Sequence, residues 1–311
     1  MSARAPTRID CGGGWTDVPP YADEQGGYVC NIAIDRYATA TVRDETYRPP
    51  AARTATGAGS LVTAALRRTG VTGVSVNVVS DFPVASGLGG SSAASAAVFG
   101  ALARWRGVPF DRDAIAEEGR RVEVEDLGVA GGRQDHYAAT WGGALGLAFG
   151  DGVAVRRLQV PPAAILEFER RSVLVYTGES RISGDTIRAV LDAYQARDRA
   201  VCNALATMKA LARDMAGALE AGDLDQLGAL VAEHWQHQRS LHPAIRTARI
   251  DEIVARAQRS GASGWKATGA SGGGCVWVLA AADNADSVRA AVAPLGEIIP
   301  FRVDPGGLAP V

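Results

Sequence analysis

The alternation of apolar and polar positions divides the chain into strand-like and helix-like runs. Val74, Val76, Val78 and Val79, interleaved with Ser75 and Asn77, have the period of two expected of a strand. A glycine-rich break follows, and then the alanine-rich Ser91–Ala103 predicts a helix. Upstream, Tyr28–Asp35 and Tyr37–Arg43 read as two strand-like runs. Residues 46–60, with Pro49, Pro50, Gly57 and Gly59, read as a loop before a short amphipathic helix over Leu61–Thr69. Asp111–Leu127 predicts a helix with Ile115, Val122 and Leu127 inward and a charged outer face. Ala144–Phe149, Val153–Val160 and Ser172–Tyr176 read as strands, with a domain boundary at the Pro161-Pro162 break. From Gly184 to Leu241 the pattern is helical, two or three helices broken near Gly222-Asp223. Helices at Asp251–Ser260 and Ala285–Ala293 and strands at Val276–Leu279 and Ile298–Val303 complete the chain.

The order strand, glycine loop, helix over Val74–Ala103 brings in candidate chemistry. The unpaired N–H groups and positive dipole end of a helix N-terminus attract an anion. In Pro83-Val84-Ala85-Ser86-Gly87-Leu88-Gly89-Gly90-Ser91-Ser92, the glycines remove side chains where backbone must approach phosphate, and Ser91 and Ser92 offer helix caps and hydroxyls. No Gly-Lys-Ser/Thr follows, so this is not a P-loop, and glycines at 87, 89 and 90 do not match a dinucleotide fingerprint. A phosphate cradle of another type and a tight turn into a buried helix both fit. Near the N-terminus, Ala5–Pro20 is a short strand breaking into a glycine turn. There Trp15, Thr16 and Asp17 offer a stacking face, a hydroxyl and a carboxylate, the mixture that grips a sugar; a plain hairpin with Trp15 in the core also fits. Gly264–Cys275 is a second glycine loop. His234, His237 and His242 near Glu233 have the residue types of a metal cluster but read as surface histidines on a charged helix.

Composition narrows the classes. The 311 residues are 47% hydrophobic and 21% charged, as in ordinary globular proteins, and allow one large or two medium domains. A formal net charge of −2 gives no basic field for nucleic acid and no polybasic tract for a membrane surface. No apolar run reaches the ~20 residues of a bilayer span. The absence of an apolar region behind Arg4 and Arg8 predicts no secretory signal and a cytoplasmic protein. Cys11, Cys30, Cys202 and Cys275 lack CxxC spacing and read as reduced, mostly buried thiols.

Three glycine-rich stretches in this order resemble the three motifs of the GHMP small-molecule kinases, over essentially the whole chain. Pro83–Ala94 looks like their ATP-phosphate loop, Gly269–Gly274 like the third motif, and Ala5–Asp17 like the first. Gly13-Gly14-Trp15-Thr16-Asp17, with Pro19-Pro20, Gly26-Gly27 and Asn31, is most similar to fucokinases and heptose-7-phosphate kinases, which phosphorylate an anomeric hydroxyl. The fold this implies is α+β and two-lobed: an S5-like N-terminal lobe over 1–162 and a ferredoxin-like C-terminal lobe over 163–311, with the site between them.

The resemblance also implies roles. Asp135 takes the place of the family's catalytic aspartate and Arg8 that of the arginine beside it, where a guanidinium favours a charged carboxylate and shares alkoxide charge. Asp17, with Gly13, Gly14, Trp15 and Thr16, matches the sugar-gripping turn; Gly272 and Gly273 are expected as further substrate contacts, and Arg181, after a strand ending at the expected cleft, is a candidate contact for a phosphorylated sugar. Pro83 and Ser86 to Ser92, including Leu88, Gly89 and Gly90, would hold the ATP phosphates, and Ser92 and Glu123 match ligands of Mg2+. His136 replaces a glutamine and could share proton handling, while Lys266 reaches either a substrate phosphate or a lobe edge. The expected partners are a sugar and ATP, with room for a homodimer and none for nucleic acid or membrane. A cyclitol or other alcohol acceptor, or a silent sugar and ATP sensor on the same scaffold, stays open.

Overall fold

A computed structural model of the protein describes residues 1–45, 58–179 and 184–311. The chain opens with β1 (Ser2–Gly12), a short α1 (Tyr21–Gln25) and β2 (Gly27–Asp44). Then come α2 (Ala58–Thr69), β3 (Val74–Ser80), α3 (Gly90–Trp105), α4 (Arg112–Arg121) and α5 (Gln134–Trp141). Next are β4 (Ala144–Phe149), β5 (Val153–Arg157), α6 (Pro162–Arg171), β6 (Ser172–Tyr176) and the helices α7 (Gly184–Gln195), α8 (Arg199–Ala221), α9 (Leu224–Ser240) and α10 (Ala248–Arg259). The chain ends with β7 (Ala262–Ala267), β8 (Cys275–Ala280), α11 (Ala285–Val292), β9 (Glu297–Ile298) and β10 (Ala309–Pro310).

Among the described residues the strands form two antiparallel sheets. The first has the order β10-β1-β2-β4-β5, and the long β2 also pairs β3. Gly27–Ile32 of β2 lies beside β4, and Ala38–Asp44 lies beside β3. The second sheet has the order β7-β8-β6-β9. Small residues let α3 lie close on the first sheet: Ala93, Ala96, Ala97 and Ala101 pack with Ala3, Ala5, Ala38 and Ala40. A second apolar cluster joins the two lobes, since Ile9, Cys30 and Ile32 of the first sheet meet Leu211 and Met215 of α8 and Trp277 of β8. Burying that cluster fixes the lobes against each other. Among the described residues no helix is long and apolar enough to cross a membrane.

Several elements depart from the periodicity. The two runs in 28–43 form the single strand β2, bent by irregular pairing with β1 between Pro6 and Thr7. The helix expected over Asp111–Leu127 changes at Val122–Asp126 into a π-helical turn. Pro161-Pro162 opens α6, with proline in the first turn, where its missing N–H costs nothing. Gly264 obscures β7, which is held by β8 across the sheet. The expected strand Ile298–Val303 is only β9 plus an isolated bridge from Val303 to Ile34. The break at Gly222-Asp223 is where expected: Gly222 is left-handed at the end of α8, and Asp223 accepts the Gln226 N–H to start α9. Of the loop expected over 46–60, residues 46–57 lie outside the described residues and 58–60 begin α2.

Candidate active site

The loop between β3 and α3 is clamped from both lobes. The Arg8 N–H donates to Leu88 O (3.0 Å), and the Cys275 N–H donates to Ser86 O (2.8 Å). Gly87 is left-handed, and a Cβ there would lie 2.6 Å from Thr268 O, so this glycine lets the loop dock on the third glycine stretch. The loop opens on a cavity of about 490 Å³ between the lobes. Ser86, Gly87, Gly89, Gly90, Ser91 and Ser92 line it, whereas Leu88 is fully buried in the core and Pro83 is not on the wall. The expected serine caps are absent: left-handed Gly89 precedes α3 and no side chain caps it. The first N–H groups of α3 thus remain available to an anion at the cavity wall.

Asp135 and Arg8 meet at the centre of this wall. Arg8 Nε donates to Asp135 Oδ1 at 2.8 Å, Nη2 lies 2.6 Å from the same oxygen, and Nη1 donates to Gly87 O at 2.7 Å. Arg8 is buried, while the Asp135 side chain keeps 29% exposure, leaving Oδ2 toward the cavity. A carboxylate with one oxygen held and the other open can take a proton from a hydroxyl set between it and the start of α3.

Glu123 comes from the π-helical turn. Burial opposes its charge, but His136 and the hydroxyls of Ser91 and Ser92 outweigh that and hold the carboxyl below its usual range. Its Oε2 is 3.1 Å from His136 Nε2. His136 therefore supports Glu123 and lies off the cavity wall, away from the proton-handling position expected for it. Glu123 and Ser92 stand together on the wall as hard oxygen donors, a set that fits a divalent cation completed by phosphates and water.

The Gly12–Asp17 turn divides in two. Gly14, Trp15 and Asp17 line the cavity; Gly13 and Thr16 do not. Thr16 Oγ1 donates to Gly13 O (2.7 Å) and accepts the Tyr28 N–H (3.1 Å), so this hydroxyl is spent on backbone. Asp17 Oδ2 accepts N–H groups of Arg133 (2.9 Å) and Gln134 (3.1 Å) at the start of α5. Burial pushes its carboxyl up to about 6 against the Gln134 N–H, and the charges of Asp135 and Asp10 add to the rise. Trp15 packs into the second lobe's core with Val201 and Leu205, as the core reading expects, and also lines the cavity.

Other expectations need correction. Lys266 reaches neither a substrate phosphate nor a lobe edge: it is fully buried with its ammonium on Asp10. His234 is not a surface histidine but is buried, its Nε2 accepting the Gly13 N–H at 2.9 Å. His242 Nδ1 accepts the Ala244 N–H, and no metal-holding group of His, Cys, Asp and Glu occurs among the described residues. Gly272 and Gly273 are off the wall, and Gly269 and Ala270 line it instead. Arg181 lies outside the described residues. Local reading missed the apolar part of the cavity wall, formed by Leu61, Phe82, Val84, Leu127 and Val129, and it missed Gln134 beside Asp135.

Known proteins bear on this geometry. Residues 57–143 match the profile of the GHMP kinases N terminal domain, and residues 215–296 match that of the GHMP kinases C terminal. The bifunctional fucokinase/GDP-fucose pyrophosphorylase of Arabidopsis thaliana is 29% identical over 91% of this chain, which spans only 30% of that relative. The D-glycero-alpha-D-manno-heptose 7-phosphate kinase of Campylobacter jejuni is 28% identical over 88% of this chain and 87% of its own. A crystal structure of a D-glycero-D-manno-heptose 1-phosphate kinase from Bacteroides thetaiotaomicron superposes with a TM-score of 0.77 at 24% identity, covering 99% of this chain and 97% of the other, and so shares the fold.

Proposed function

Because the chain belongs to the GHMP kinases, and to the sugar kinases among them, we propose that it transfers the γ-phosphoryl of ATP to the anomeric C1 hydroxyl of a hexose or heptose. The observation carrying this reading is the Arg8-held Asp135, whose free oxygen faces a cavity with the start of α3 on one side and Trp15 and Asp17 on the other. On this reading the lobes are 1–162 and 163–311, with the C-terminal β10 returned to the first sheet.

The adenine would lie at the apolar end against Leu61, Phe82 and Val129, and the phosphates along the N–H groups of Gly87 to Ser92. The sugar would lie between Trp15, Asp17 and Gln134. Asp135 Oδ2 would accept the C1 hydroxyl proton as the oxygen attacks in line, with Arg8 holding the carboxylate in place. Glu123 and Ser92 would hold Mg2+, which when bound neutralises charge on the β- and γ-phosphates. Such transfer needs mainly positioning and fixed electrostatics, both of which these residues supply.

The deciding experiment follows ADP release from magnesium-ATP over a panel of reducing sugars: fucose, mannose, galactose, and heptoses with and without a 7-phosphate. Phosphorus NMR then locates the new phosphate. An anomeric phosphate is the expected product; phosphate elsewhere on the ring, or no turnover on any of them, overturns the reading.

A further inference from the structure

One charged cluster takes no part in the chemistry above. Lys266 on β7 has no exposed surface, and its ammonium donates to Asp10 Oδ2 and to Asp10 O, both at 2.8 Å. Asp10 is 1% exposed, and its Oδ1 has no hydrogen-bond partner among the described residues. Burial opposes the carboxylate's charge, but Lys266 and then Arg8 outweigh it and hold the carboxyl low. A buried pair of this kind is weak evidence for stability, because desolvation offsets the attraction. Its place in the fold says more.

Asp10 stands two residues after Arg8 on β1 and two before the turn that carries Trp15 and Asp17. Residues two apart on a strand share a face, so Arg8 and Asp10 project together. Asp10 Oδ2 also abuts the turn: a Cβ on Gly14 would lie 2.7 Å from it and 3.0 Å from Gln134 Nε2. His234 adds its bond to the Gly13 N–H, and burial, with Lys266 nearby, pushes that imidazole down to about 3, keeping Nε2 an acceptor. The turn is thus gripped from beneath by groups of the second lobe while its other side faces the cavity. Arg8, the second cation near Asp10, has its N–H groups on Asp135 and Gly87 O.

We propose that Lys266 is a positioning residue for phosphoryl transfer, reaching from the second lobe to neutralise Asp10, leave Arg8 to Asp135 and fix the Gly12–Asp17 turn against the acceptor. This rests on the reading of Asp135 as the base and of the turn as the sugar side. Without Lys266, the buried Asp10 carboxylate competes with Asp135 for Arg8, and the turn loses its support at Asp10 O.

The test compares wild type, Lys266→Met and the double variant Asp10→Asn/Lys266→Met. With any sugar that the wild type phosphorylates, Lys266→Met lowers kcat about ten- to a hundred-fold and raises the sugar KM, with the ATP KM within about twofold. The double variant has no stray carboxylate, so kcat returns to within about threefold of wild type while the sugar KM stays raised. Hydrogen exchange followed by mass spectrometry needs no sugar: amides in 9–20 exchange faster in both variants, and those in 83–92 do not change in the double variant, where Arg8 keeps Gly87 O. If Lys266→Met does not fold, the double variant carries the test through its sugar KM and its exchange. Wild-type kinetics and exchange in a folded variant overturn the proposal, as does equal loosening of 83–92 and 9–20 in the double variant. Silence of the wild type on every sugar removes the anomeric-kinase reading instead, and exchange still decides the role of Lys266.

Discussion

Asp135 stands directly over Gly89: a Cβ on that glycine would lie 3.2 Å from both Cγ and Oδ2 of the aspartate. The glycine loop and the proposed base therefore share one contact, and Gly89 itself is left-handed at φ 75°. Gly89→Ala combines a cost of about 1 kcal/mol for the left-handed backbone with displacement of the carboxylate. The expected result is a small loss in stability and a fall in kcat of about ten- to a hundred-fold, measured by steady-state ADP release. A variant with wild-type kcat would separate the loop from the base.

Asp135→Asn keeps the shape of the side chain and removes its proton-accepting and charge-pairing capacity. Turnover should fall by about 10²–10⁴, the usual contribution of a general base, while ATP affinity by calorimetry stays within about threefold. Retention of most of the activity would remove Asp135 from the role of base.

The strand, loop and helix around Gly87–Ser92 were legible because each signal is local: β periodicity, a glycine cluster, then an alanine run. Asp135 and Arg8, 127 residues apart, were paired only through family resemblance, and the geometry brings them together. What local reading missed depends on distant partners. Thr16 looked like a sugar ligand because nothing nearby in sequence announces the Tyr28 backbone that consumes its hydroxyl. His234 reads as a surface histidine, and Lys266 as a substrate-phosphate or lobe-edge residue, because their partners, Gly13 and Asp10, lie 221 and 256 residues away. Strand β7 escaped because its glycine reads as a loop, while pairing with β8 overrides that local preference.

Thr16→Val separates structure from recognition. It removes a fully buried hydroxyl bonded to Gly13 O and the Tyr28 N–H, leaving the Tyr28 N–H without that acceptor while Gly13 O keeps the Thr16 N–H. Denaturant unfolding should show a loss of about 1–3 kcal/mol, with kcat/KM for the sugar of the folded variant close to wild type. A selective loss of sugar kcat/KM at unchanged stability would make Thr16 a ligand after all.

Asp17 links stability to pH with a sign opposite to most carboxylates. Burial pushes its folded-state pKa up to about 6, against a reference of 3.8. Between those values the folded protein holds the proton more tightly than the unfolded chain. The stability from this group is therefore complete below the unfolded value and is lost as pH rises through 6. Near pH 8 the buried carboxylate costs about 3 kcal/mol relative to a group whose pKa does not change on folding. Asp17→Asn keeps an oxygen for the Arg133 and Gln134 N–H groups and removes the charge. Unfolding at pH 4, 6 and 8 should show the variant gaining on wild type as pH rises, up to about 3 kcal/mol at pH 8 and little at pH 4. Its sugar KM should rise at the same time, because a charged acceptor at the cavity wall binds hydroxyls more strongly than an amide does. A stability difference that does not change with pH would place the strain elsewhere; one that grows with pH, together with a raised KM, makes Asp17 a residue held at a cost in stability for what it binds.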